Sequence, residues 1–160
     1  MKKIFLVLVT LAAVLNVYSQ KSIDALFQKY AGKDGFTTVT INGSLLKFAG
    51  CQDENDKGSL PASVTEIRIL AQEGDNPSVG NFYDLVMKDI DLNQYEEFMR
   101  VKESDQDMRM LVRTEGDKFK EFLLIAGGDD NALIQIKGNM SFEDAEKLKS
   151  DAEAGKGLGF

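Results

Sequence analysis

The sequence has no histidine, a single cysteine at position 51, and one long apolar run, placed at its start. Each shortage removes a class of chemistry. Without histidine there can be no Ser-His-Asp device. A thiol nucleophile at Cys51 would lack the basic partner that usually lowers its pKa. Zinc would need an almost all-carboxylate site, which is unlike its usual ligand sets. One cysteine cannot staple a fold, although small exported domains commonly use pairs. Cys51 is therefore a free thiol, an intermolecular link or a small buried apolar residue. Positive charge is also short. The 160 residues carry 19 Lys and Arg against 26 Asp and Glu, a net charge of −7. Such a chain repels phosphate backbones, so no nucleic-acid partner is expected.

The opening, "MKKIFLVLVTLAAVLNVYSQ", has the layout of a secretory signal. Lys2 and Lys3 precede an apolar run from Ile4 to Leu15, and Val17 and Ser19 fit the small-residue rule for cleavage. The run is shorter than the ~20 residues a spanning helix needs. Residues 1–19 are read as a signal peptide. Removing them takes two lysines and no acids, leaving 141 residues with 17 basic against 26 acidic, a net charge of −9. That length suits one domain with a real core. No other segment approaches spanning length, so no transmembrane segment is expected in the mature chain.

Periodicity then orders the chain. Ile23, Leu26, Phe27 and Tyr30 recur at helical spacing before Gly32. "FTTVTIN" (36–42) is β-branched and reads as a strand. "GSLLKFAG" reads as a short helix or turn. "CQDENDKGSLPAS" (51–63) is polar and breaker-rich, hence a loop. "VTEIRILAQ" (64–72) alternates as a strand. Val79, Phe82, Tyr83, Val86 and Met87 predict a helix from about Ser78 to Lys88. "YEEFMRVKES", "DMRMLVRTEGD", "KFKEFLLIAGG" and "NALIQIKGNM" are four β-like runs with short connections, which makes an antiparallel meander. Ser141 and Asp144 have capping-box spacing, and Phe142, Ala145, Leu148 and Ala152 form one apolar stripe. The expected fold is α+β, with helices packed on one face of a mostly antiparallel sheet that ends in a four-strand meander. Residues 20–154 form a single domain and 155–160 a flexible tail.

"FQKYAGKDGFTTVTI", "YEEFMRVKE" and "LLIAGGDDNALIQIKGNM" resemble the domain of unknown function 4252 family, small exported proteins common in Bacteroidetes. The resemblance spans about Ser22 to Leu148. It implies a periplasmic or surface location in a Gram-negative envelope, and no activity, cofactor or catalytic residue. Some members look like lipoproteins, whereas this chain has no cysteine just after its apolar run.

The Gly127-Gly128-Asp129-Asp130 turn is similar to the Gly-Gly-Asp-Glu hairpin of diguanylate cyclases and the Gly-Asp-Asp turn of some RNA polymerases. Those sites need further acids on a neighbouring strand and a phosphate clamp. The neighbouring strand tips here offer no such set, so the residues read as a hairpin connection. Asp53, Asn55 and Gly58 match part of a calcium loop, but Lys57 and Val64 occupy ligand positions. Asp89, Asp91 and Asn93 do likewise, but Gln94 replaces the needed glycine. Ser44 and Lys47 are a chance-level Ser-Lys spacing. "GKGLG" lacks the strand and helix that frame a phosphate loop.

One pattern could serve recognition. Arg100 and Lys102 share a strand face opposite Met99 and Val101. Arg109 and Arg113 oppose Met108, Met110 and Val112, and Lys120 follows on the third strand. These five cations would line an open sheet face as a partner or anion surface, with Glu97, Glu103 and Glu121 near enough to pair with them. No catalytic residue, cofactor or metal site is expected. The leading function is a non-enzymatic envelope protein that binds another protein. A small-ligand or metal-binding periplasmic module is the alternative, followed by a carboxylate-dependent hydrolase.

Overall fold

The computed structural model describes residues 22–48, 60–73, 81–104, 106–128 and 131–153. The expected signal segment (1–19), Cys51 with most of its loop, the calcium-loop candidate at 53–58, the expected helix start at Ser78, Asp129, Asp130 and the expected tail (155–160) lie outside the described residues.

The element order is α1 (Ile23–Tyr30), β1 (Phe36–Asn42), α2 (Gly43–Phe48), β2 (Val64–Gln72), α3 (Phe82–Asp89), a 3-10 turn (Leu92–Gln94), β3 (Glu96–Lys102), β4 (Asp107–Glu115), β5 (Lys118–Gly127), β6 (Asn131–Met140) and α4 (Phe142–Glu153). The strands form one antiparallel sheet in the order β1-β2-β6-β5-β4-β3. The meander accounts for β3 to β6. The β1–β2 pair then joins it through β2 and β6, strands some 60 residues apart in the chain. Among the described residues, β1 and β3 are the two edges.

The helices start where their caps dictate. Ser22 Oγ accepts the Ala25 N–H at 3.1 Å, and Asn81 Oδ1 accepts that of Asp84 at 3.1 Å. Ser141 and Asp144 form the expected reciprocal box, with bonds of 2.8 and 3.2 Å. Each satisfies orphan donors of a first turn.

The fold is α+β with an antiparallel sheet, and its helices divide between the two faces. On the first face α1 and α3 bury Ile23, Leu26, Phe27, Tyr30, Phe82 and Val86 against Leu70, Leu111, Leu123, Ile125 and Leu133. On the second face α2 and α4 bury Leu46, Ala145 and Leu148 against Ile67, Met110, Val112, Phe122 and Ile136. Adjacent residues such as Phe122 and Leu123 feed opposite cores, as strand alternation requires. The one-face expectation fails because the central strands are apolar on both sides, the mark of a sheet covered twice.

Candidate functional site

A polar line crosses the first face beside α1. Arg68 on β2 donates from Nη2 to Asp24 Oδ1 at 2.5 Å and from Nε to Gln135 Oε1 at 2.6 Å. Its guanidinium also lies 4.4 Å from the ring centroid of Phe27. Gln135 in turn donates from Nε2 to Glu121 Oε1. Glu121 Oε2 accepts from Arg113 Nε at 3.0 Å. Tyr95, just before β3, donates its hydroxyl to the same carboxylate. Glu121 and Gln135 are 3% and 2% exposed, so both must be satisfied internally, and both are. The Gln135 amide can bridge a cation and a carboxylate in one orientation alone, oxygen toward Arg68 and nitrogen toward Glu121.

The electrostatics lock the line rather than activate it. Burial pushes the Tyr95 phenol up, and the charge and hydrogen bond of Glu121 push it further, against the opposing Arg113. Tyr95 therefore stays protonated and cannot act as a base. Burial alone would pull the Arg113 guanidinium down, but the Glu121 bond and charge outweigh it and hold it above its ordinary value.

A cleft of about 240 Å³ opens above this line, between the start of α1 and the 3-10 turn, with Asp91, Gln94 and Lys137 on its walls. Of the two hydroxyl side chains that line it, Ser22 is occupied as the α1 cap and Tyr95 is held protonated beside Glu121. Asp91 caps the 3-10 turn through Asn93 N at 3.1 Å. Lys137 pairs with Glu66 at 3.0 Å. The cleft is polar, and the charged groups of its floor are bound to one another. It can hold α1 to the sheet; among the described residues that line it, no nucleophile stands beside a free base. Among the described residues no group of three or more Asp, Glu, Cys or His side chains is placed to hold a metal ion.

The cation stripe is on this face but is not continuous. Arg100 stands directly opposite Arg109. Arg109 Nε donates to Glu97. Lys102 is 3.8 Å from Asp107. Arg113 is held by Glu121, and Leu111, 2% exposed under the helices, separates it from Arg109. Lys120 donates to Asn139 at 2.7 Å and lies 4.0 Å from Glu115. Glu103 uses its backbone N–H to close the β3–β4 turn onto Gln106 O at 2.8 Å. The cations therefore form a group at the β3–β4 end, Arg100, Lys102 and Arg109, with Arg113 and Lys120 apart.

The glycine-rich turn lies between β5 and β6, which pair antiparallel up to Ala126↔Ala132. Gly128 has φ +131° and donates its N–H to Asn131 Oδ1 at 3.2 Å. Gly127 has a different task. A Cβ there would come within 2.5 Å of Tyr83 Cβ, so it lets α3 approach β5. The two glycines thus serve packing and turn geometry.

The polar line is the part of this site that the sequence reading misses, yet it leaves a signal. Gln135 shares the parity of Leu133, and Glu121 that of Leu123 and Ile125. A polar residue in a core-facing register must find a buried partner.

The family profile of the domain of unknown function 4252 matches residues 30–148. The chain belongs to this family. The match takes in every strand, α2, α3 and the first half of α4, and it meets α1 only at Tyr30. No curated protein and no solved structure matches.

Proposed function

We propose that this member of the domain of unknown function 4252 family is an exported, non-enzymatic module of the cell envelope that works by binding protein. The observation that carries the reading is an open sheet margin. β1 has no second neighbour among the described residues, and Thr37, Thr38, Val39 and Thr40 are all exposed. From that margin a half-covered apolar row runs inward over the second face, Ile69, Ile134 and Leu124. An open edge beside apolar surface is a standard recognition surface for extended chain. The polar cleft supports a ligand-binding reading less well, because its charged groups already bind each other. Export is supported by Lys2, Lys3 and the apolar run over 4–15.

The test is capture in living cells. A tag at the C-terminus, crosslinking in the native host and mass spectrometry should return a specific envelope protein. Recovery of the tagged chain alone, without crosslinked species of any kind, would overturn the reading.

A further inference from the structure

The two edges of the sheet are built differently. β3 is guarded: four of its seven residues are charged (Glu96, Glu97, Arg100, Lys102), and a bulge breaks its register between Glu97 and Met99. Both are devices that keep an edge from pairing. β1, "FTTVTIN", carries no charge and no proline, and it pairs with β2 without a register shift from Phe36↔Gln72 to Asn42↔Glu66. Five successive β-branched residues, Thr37 to Ile41, give it high strand propensity. An acidic chain that guards one edge leaves the other neutral and flat.

We propose that β1 is a strand-pairing seam whose occupant is a second copy of this chain, joined antiparallel about a two-fold axis at Val39. This deepens the protein-binding reading and rests on it. The strand is self-complementary about its centre. Position 39 is the midpoint of Phe36–Asn42, so centring the axis there overlaps all seven residues. Val39 then faces its own copy, Thr38 faces Thr40, Thr37 faces Ile41, and Phe36 faces Asn42. No like charges meet, although two acidic chains repel at most other contacts. A heterologous partner would gain nothing from this symmetry.

The apolar row strengthens the case. Val39, 39% exposed, pairs with Ile69, Ile69 with Ile134, and Ile134 with Leu124. Joined at Val39, two copies would continue that row from one sheet into the next without a polar break. The contact is isologous and closed, so it ends at a dimer instead of a fibre.

Cysteine crosslinking and sedimentation test this on the full chain, purified as the cell leaves it. In a Cys51→Ser background, Val39→Cys should form a disulfide-linked dimer on mild oxidation. Antiparallel partners have Cα atoms about 4.5–5.5 Å apart, inside disulfide range. Thr38→Cys should not link to itself, but should link to Thr40→Cys when the two are mixed. The unmodified chain should sediment at twice the mass of the Val39→Lys variant, whose side chain is exposed and leaves the monomer folded. A dimer that persists in Val39→Lys, or that fails to link through Val39→Cys, would overturn the proposal. A monomeric chain whose captured partner is lost in Val39→Lys would overturn the second copy while leaving the protein-binding reading intact. A monomeric chain whose capture ignores Val39→Lys would overturn the seam itself.

Discussion

Arg113 and Glu121 face each other across β4 and β5, with Nε 3.0 Å from Oε2 and the carboxylate side chain 4% exposed. The pair anchors the Tyr95 hydroxyl on one side and the Gln135 amide on the other. Removing one member strands a buried charge. Arg113→Ala should cost about 3 kcal/mol in urea unfolding, near the low end for a broken buried pair because the arginine is partly exposed. Arg113→Leu combined with Glu121→Leu should cost much less than Arg113→Ala alone, since no orphan charge remains. A double variant as unstable as the single one would show that the line contributes through more than satisfied charge.

Gly127 and Gly116 are both turn-adjacent glycines, and the structure separates their reasons. At Gly116 φ is +63°, and nothing lies within 4 Å of the place an added Cβ would take. Gly116→Ala should cost about 1 kcal/mol, and Gly116→Asn less, because asparagine tolerates the left-handed region. At Gly127 the obstacle is Tyr83 at 2.5 Å, so Gly127→Ala should cost about 1–3 kcal/mol, and Gly127→Asn more still. Unfolding midpoints for the four variants check the ordering. An asparagine rescue at 127 would mean that backbone conformation, and not α3, sets that position.

The elements are more legible in the sequence than their assembly. The cap at Ser141, the β-branched run of β1 and the hairpins of the meander are local, and local chemistry decides them. The pairing of β2 with β6 is non-local, and nothing in either strand names the other. The second covered face has a sharper cause. Leu70, Leu111, Leu123 and Leu133 share parity with Arg68, Arg109, Glu121 and Gln135, so a face that looks polar in the sequence holds a core. The run "FLLIA" in β5, apolar at consecutive positions, is the clue to burial on both sides. The site is less legible. Strand alternation groups the cations, but which carboxylate neutralises each depends on the register of neighbouring strands.

Asp144 ties α4 to the loop before β2 and makes that contact pH-sensitive. Burial alone would push its carboxyl up. The Ser141 backbone N–H, Ser63 Oγ at 2.9 Å, and the Ser141 hydroxyl together pull it below its ordinary value of 3.8. A depressed folded-state pKa adds stability that is complete above the unfolded value and is lost as pH falls through the folded one. Wild type should therefore exceed Asp144→Asn by about 1 kcal/mol at neutral pH, the scale of a helix cap. That margin should shrink below pH 3.8. Urea midpoints for both chains across the acid range check this. Parallel curves would mean that Asp144 titrates alike in the folded and unfolded chains.

Two surfaces now compete for the role of recognition, and they can be separated. Arg100 is exposed and sits directly opposite Arg109, whose own charge is answered by Glu97. If the β3–β4 cations bind a partner, Arg100→Glu with Arg109→Glu should abolish capture. Glu97 would then face added negative charge, so a modest loss of stability, about 1 kcal/mol, accompanies the reversal. If β1 is the seam, the same double reversal leaves capture and dimer mass unchanged, while Val39→Lys removes both. The two edges lie at opposite ends of the six-strand order, so neither change reaches the other surface directly. The contrast between a charged, bulged β3 and a neutral, regular β1 leads us to expect the second pattern. Capture lost with the arginine reversal and kept in Val39→Lys would move the binding surface to the cation group and leave β1 as an ordinary edge.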